Sequence, residues 1–356
     1  MSEPALSSSD LRAAGERLMG ADAGAPRAGR DPVNQPMINT WIEALGDANP
    51  IYVDEIAAKE AGFDSVTVPP AMAQAWTMPA LGAERSDDHP TVRLFELLDV
   101  AGYTSLLATD CDTVYHRYLA LGDQVSLHAT LAGFDGPKQT ALGEGWFCTV
   151  RSIWTVGEEI VAEMDFRMLK FRPTQRIDDS RTRATDAETA SARRSSTAGN
   201  ARYGGAPPRP VPARPPVARV GDRLPDLVLE ATPTFIVSAA LATRDFQPVH
   251  HDRDYARARG SRDTFANIIT DTGLVQRFVT DWAGRRAQIL AIKLRLGAPW
   301  YAYDTLVITG EVKTVSGQQV SVAVTGTCAL GKHIIATVDL LMDRTVASAE
   351  QVRRVQ

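Results

Sequence analysis

Asp245 stands five residues before His250, with Pro248 between them, in the stretch ATRDFQPVHHDRDYARARG that begins at Ala242. A turn centred on the proline brings both side chains to one side of a loop. A carboxylate only accepts hydrogen bonds, whereas an imidazole donates or accepts. Together they can hold one water and shuttle its proton near neutral pH, a form of acid–base catalysis worth ~10²–10⁴-fold. Adding water across an activated double bond needs such a pair. The bland alternative is an Asx-type turn leading into a helix. His251 and Asp252 read that way, with Asp252 as the N-cap of a short helix.

The same frame occurs earlier, in ALGDANPIYVDEIAAKEAG. Asp47 meets Asp245, Pro50 meets Pro248, Asp54 meets Asp252 and Gly62 meets Gly260 without a gap, but Tyr52 stands where His250 does. One copy keeps the turn and has given up the titrating group. In each half an apolar helical segment precedes the turn (PMINTWIEALG and TPTFIVSAALATRD) and a short helix follows it. The second half continues into a helix with Ile268, Ile269, Gly273, Leu274, Phe278 and Trp282 at helical spacing, apolar on more than one side and stopped at Gly284. Alternating β-branched segments complete both halves. This is an α+β layout, a sheet curled around a helix. The first half places Pro69, Pro70 and Pro79 in its central segment, which predicts a short or broken helix. HPTVRLFELLDVAGYTSLLATDC reads as an insertion there.

A chain of 356 residues predicts two domains. Residues 1–173 and 221–356 carry the two copies. Residues 174–220, rich in Arg, Ser and Pro, read as a disordered linker ending in polyproline II. A net charge of -5 argues against nucleic acid as partner. Cys111, Cys148 and Cys328 lack CxxC spacing, so no metal site or disulfide framework is expected. No signature for a dinucleotide or P-loop site opens a βα unit. No apolar run reaches the ~18 residues of a membrane helix, and the N-terminus has no signal-peptide pattern. The cytoplasm is the expected compartment. His89, His116, His128 and His333 occur singly and read as structural.

The pattern D-x-x-P-x-H-x-D followed by an Ala/Gly-rich helix resembles the motif of the MaoC-like, (R)-specific enoyl-CoA hydratases, which have the hotdog fold. Their motif is closer to G-D-x-N-P-x-H-x-D; here Arg244 replaces the Gly and Gln247 the Asn, while the first half keeps Gly46, Asp47, Asn49 and Pro50. Longer stretches, PTFIVSAALATRDFQPVHHDRDYARARG onward and APRAGRDPVNQPMINTWIEALGDANP onward, resemble the two subunits of the actinobacterial steroid side-chain enoyl-CoA hydratases.

The resemblance implies a double hotdog, a fusion of two subunits with one live dyad. It implies hydration of a three-carbon steroid side-chain enoyl-CoA, placing a hydroxyl on C17. Asp245 and His250 hold the water, and the helix start near Asn267 and Ile268 can offer backbone N–H groups to the thioester oxygen, with Asn267 as a plain N-cap the alternative. CoA belongs to the substrate and no cofactor is expected. A homodimer of fused chains follows from the same resemblance, with an aldolase and a separate DUF35-type protein as further partners, since no DUF35-type domain follows Phe171. Tyr52, Met72 and Trp76, with Met78, are candidates for the acyl pocket, where the shortened helix makes room; the alternative is that the methionines and Trp76 are core residues and Tyr52 a structural plug with its hydroxyl bonded nearby. Lys293 and Arg295 alternate on one strand face and are candidates for the CoA phosphates. Alternatives are a (3R)-hydroxyacyl thioester dehydratase or general fatty enoyl-CoA hydratase, and a non-catalytic acyl-CoA-binding scaffold.

Overall fold

A computed structural model describes residues 6–21, 23–83, 89–172, 203–205 and 207–345. The first module contains α1 (Ser8–Met19), β1 (Arg27–Ala28), α2 (Gln35–Leu45), a 3₁₀ turn (Pro50–Tyr52) and α3 (Glu55–Glu60). A 3₁₀ helix (Pro70–Thr77), α4 (Pro90–Val100), β2 (Ser105–Tyr115), β3 (Val125–Thr140), β4 (Gly143–Val156) and β5 (Glu159–Phe171) follow. The second contains β6 (Arg223–Glu230), α5 (Pro233–Thr243), a 3₁₀ turn (Pro248–His250), α6 (Arg253–Ala258) and α7 (Ile268–Ala283). It ends with β7 (Gln288–Leu296), β8 (Thr305–Ser316), β9 (Gln319–Cys328) and β10 (Gly331–Leu341).

Local signals explain the elements that carry the motif. Asn34 caps α2, its side chain accepting from the Met37 N–H, and Gly46 ends it at φ 67°. Ile38, Trp41 and Leu45 fall on its buried face. Thr232 caps α5 in the same manner, and Arg244 ends it at φ 57°. A non-glycine residue rarely holds that left-handed conformation, so the backbone geometry of the motif has been kept although its glycine has not. The separation of 198 residues between Asp47 and Asp245 (245 − 47) also separates α2 from α5, the two 3₁₀ turns, α3 from α6, and Pro70 from Ile268.

There the copies part. α7 is a full helix of 16 residues, whereas its counterpart is a 3₁₀ helix of eight with Pro70 in its first turn. A proline ring fits a first turn but not a helix interior. α7 is buried on nearly all sides. At Gly273 the approach of the first module is so close that a Cβ would lie 2.5 Å from Leu45 Cδ1 and 2.8 Å from the Trp41 ring. Overpacking of that kind costs about 1–3 kcal/mol.

Among the described residues, ten strands form one antiparallel sheet in the order β1-β3-β4-β5-β2-β7-β10-β9-β8-β6. Its two halves mirror each other about the β2–β7 seam, where Cys111 pairs with Leu294 and Thr113 with Ile292. Each half-sheet wraps its own central helix, the double-hotdog arrangement. The segment read as an insertion therefore divides: its first part is α4, and its end begins the seam strand β2. Helices α1 and α4 add a second, smaller core with Leu11, Leu94, Leu98, Leu131 and Trp146.

Much of the expected linker, residues 174–202 and 206, lies outside the described residues. From 207 onward the chain has defined partners. Pro207 O accepts from Arg277, Pro212 O accepts from the Arg285 N–H, and Arg209 donates to the carbonyl of Asp226. Prolines leave carbonyls without neighbouring donors in their own segment, and α7 and its C-terminal loop supply those donors. Among the described residues, no helix is long and apolar enough to cross a membrane.

Candidate active site

The end of α5 and the start of α7 build the site. The Asp245 N–H donates to Ala240 O, which completes the helix end, and Asp245 Oδ1 accepts from the Gln247 N–H at 3.3 Å. Pro248 starts the 3₁₀ turn that lifts His250 back toward Asp245. His250 is buried against the Phe265 ring, edge to face at 5.0 Å. Its Nδ1 is 2.8 Å from Phe265 O. A carbonyl only accepts, so Nδ1 carries the proton. In the neutral ring Nε2 is then an acceptor, and it lies 3.4 Å from Asp245 Oδ2. Two acceptors at that separation do not bond to each other. A water with two O–H groups can donate to both. A pair with this geometry could polarise a water from two sides.

The α7 start is braced onto this loop. Asn267 Oδ1 accepts from the Thr270 N–H at 2.8 Å, as an N-cap does, and Asn267 Nδ2 donates to Thr243 Oγ1 at 2.8 Å. Thr243 in turn donates to Ala239 O. The Asn267 side chain is therefore committed within the protein. The backbone N–H groups of Ile268 and Ile269, in the first turn, have no intrahelical acceptor. Such groups with the helix dipole suit a developing negative charge.

The first module carries the same turn with a tyrosine in place of the histidine. Tyr52 and Asp47 are buried, and Gln276 of α7 inserts between them. Gln276 Nε2 lies 3.2 Å from Tyr52 Oη and 3.4 Å from Asp47 Oδ2, while its Oε1 accepts from the Ala71 N–H at 2.8 Å. Next to it the buried Arg277 donates to Leu45 O and Pro207 O, both at 2.6 Å. Burial raises the Asp47 carboxyl to about 6, against the opposing pull of the Asn49 N–H and Arg277. Burial likewise raises Asp281, beside Arg277, to about 7. The position a water would need is filled by a side chain.

A narrow cavity of ≈ 10 Å³ lies between the modules. It is lined by Ala71, Ala73 and Gln74 of the 3₁₀ helix, by Cys111, Thr113 and Tyr115 of β2, by Trp154 and Met164, and by Ile269 and Thr272 of α7. Neither dyad residue lines it; Ile269, in the first turn of α7, links it to the braced loop. Tyr52, Met72 and Trp76 lie in the packed core and not among the lining residues. Sequence reasoning missed this lining, although Cys111, Thr113 and Tyr115 alternate as one face of a strand does. Lys293 and Arg295 are exposed on β7, opposite Asp112 and Asp110 of β2 across the seam. Their buried neighbours Ile292 and Leu294 face the core, so the structure does not bring these cations to the dyad.

Comparison with known proteins agrees with this division. A family model described as FAS1-like, dehydratase domain region, matches residues 17–164. The chain is 53% identical over 165 residues to the 3-oxo-4,17-pregnadiene-20-carboxyl-CoA hydratase alpha subunit of Mycobacterium tuberculosis. That match takes in 46% of this chain and 53% of the relative, so the chain spans about half the length of that subunit. It is 63% identical over 123 residues to the beta subunit of the same hydratase and organism, covering 35% of this chain and 95% of the relative. A solved MaoC-like dehydratase is 20% identical, with a TM-score of 0.65 over 91% of this chain and 99% of its own, which shows a common fold. With nearly all of the beta subunit matched, the chain belongs to the family of this hydratase subunit, and it shares the fold of the MaoC-like dehydratase.

Proposed function

We propose that the protein hydrates the conjugated double bond of a steroid side-chain enoyl-CoA. The carrying observation is the Asp245–His250 pair, with His250 Nδ1 committed to Phe265 O and Nε2 3.4 Å from Asp245 Oδ2. Water adds its oxygen to the β-carbon while a proton passes to the α-carbon on the same face, so the C=C bond becomes C–OH and C–H. Charge that moves onto the thioester oxygen meets the first-turn N–H groups of Ile268 and Ile269. The steroid acyl group follows from the substrate in the names of the two matched subunits. For a three-carbon side chain the product carries its hydroxyl on C17.

The small residues of the shortened helix mark where a fused-ring acyl group would enter; the cavity of ≈ 10 Å³ beside them holds about one water, so the bound state requires this segment to move away from α7. The chemistry uses no cofactor beyond the CoA of the substrate. A homodimer of fused chains, working in the cytoplasm with an aldolase and a separate DUF35-type protein, completes the proposal. The test is a panel of enoyl-CoA substrates, read by loss of thioester absorbance and by mass of the product. Turnover of a steroidal enoyl-CoA with a gain of one water supports it. Turnover of short linear enoyl-CoAs alone contradicts it.

A further inference from the structure

The constant separation of 198 residues allows the surroundings of the live and silent turns to be compared position by position. Arg244, Arg253, Arg257, Arg259 and Arg262 surround the live turn, where the silent one has Gly46, Glu55, Lys59, Ala61 and Asp64. From 244 to 263 there are five arginines against four aspartates, a net +1. From 46 to 65 there is one lysine against five acidic residues, a net −4. The backbone is shared, and the net positive charge lies on the copy that has the histidine, while the silent copy has a cation at one of the five positions, Lys59. A generic solvated face would not follow the dyad in this way.

The arginines flank the dyad loop in sequence, and local contacts tie their segment to it. Arg244 directly precedes Asp245, and its guanidinium is 6.0 Å from the Phe246 ring. Arg262 comes three residues before Phe265, whose carbonyl holds His250. Arg257 Nε donates to Arg262 O at 3.2 Å, which ties α6 to that loop. Arg259 is exposed and 5.2 Å from the Tyr255 ring. Arg253 is paired with Asp263 at 2.9 Å and belongs to the scaffold. Asp252 caps α6, and Asp254 lies in its first turn.

We propose that Arg244, Arg259 and Arg262, backed by Arg257, receive the phosphate groups of the CoA moiety; this rests on the hydratase reading of the dyad. Guanidinium groups bind phosphate oxygens in pairs. The phosphates of a CoA thioester sit a pantetheine arm away from the reacting carbon, which calls for cations beside the dyad and not within it.

The test compares wild type with Arg259→Gln/Arg262→Gln, both exposed positions. Kinetics use a CoA thioester and the phosphate-free pantetheine thioester of the same acyl group; calorimetry uses free CoA and 3′-dephospho-CoA. The double variant is expected to narrow the preference for the CoA thioester by roughly tenfold or more and to weaken free CoA binding similarly. The rise of KM with salt should flatten. An unchanged preference, or its loss in Lys293→Gln/Arg295→Gln instead, would overturn the assignment. If no enoyl thioester turns over but CoA binding still weakens in the double variant, the arginine site stands and the hydratase reading falls.

Discussion

His250 presents Nε2 to Asp245 at 3.4 Å because its Nδ1 is held by the carbonyl of Phe265. The backbone thus sets the tautomer, and both reactive atoms face the same place as acceptors. What keeps the two halves of this geometry together is the bond from Asn267 to Thr243, since Thr243 ends the helix that carries Asp245 and Asn267 begins the helix that follows Phe265.

Thr243→Val removes that brace and keeps the volume. The expected result is a loss of roughly tenfold or more in kcat from misplaced groups, with KM little changed. Thr243→Ser should recover most of it. Steady-state kinetics of the two variants check this, and an equal loss in both would contradict it.

The silent site predicts an effect on stability. The raised Asp47 carboxyl keeps its proton in the folded state between its ordinary range near 4 and about 6, where the unfolded chain releases it. Stability from this group therefore falls as pH rises through that window and stays low above it. Asp47→Asn should retain activity and melt about 2–4 °C above wild type at pH 8, with the difference vanishing near pH 4. Gln276→Leu should do the opposite, costing ~1–3 kcal/mol for each buried group left unpaired. Thermal melts at the two pH values and urea unfolding measure both.

His333 makes a different pH prediction. Its Nδ1 donates to Ala298 O at 2.8 Å, and Nε2 lies 3.1 Å from Asp271 Oδ1. Burial pulls its pKa down, but Asp271 and the Ala298 carbonyl raise it further, and the net shift is upward. A raised histidine contributes stability that is complete below its unfolded value and lost as pH rises through the folded one. His333→Gln should then cost up to about 3–5 kcal/mol at pH 6 and clearly less at pH 9, read from urea midpoints.

The cavity can be filled. Ala73→Val places two more methyl groups among Cys111, Trp154 and Met164. Steroidal enoyl-CoA turnover should fall at least tenfold, whereas a short enoyl-CoA loses little. The cost in stability is about 1–3 kcal/mol. Equal loss on both substrates in a folded variant would remove the cavity from the acyl site.

Local chemistry made part of this legible in the sequence. Caps, prolines and apolar spacing identify α2, α5 and α7, and the repeat of Asp47 and Asp245 exposes both the double fold and the site with its histidine. The rest is tertiary. The seam strand β2 was hidden because it follows α4 without a clear break, and with it went Cys111, Thr113 and Tyr115 of the cavity. Nothing near Asp47 in sequence announces Gln276, which arrives from a helix 229 residues away. The spacing of Lys293 and Arg295 gave a common strand face, but only the β2 pairing reveals that this face is the outer one.

The central claim is tested most directly by following enoyl-thioester absorbance for a steroidal enoyl-CoA with wild type, His250→Ala and Asp245→Asn, each verified as folded. The account predicts turnover by wild type and a loss of ~10²–10⁴-fold in each variant. Turnover by His250→Ala at the wild-type rate would contradict it.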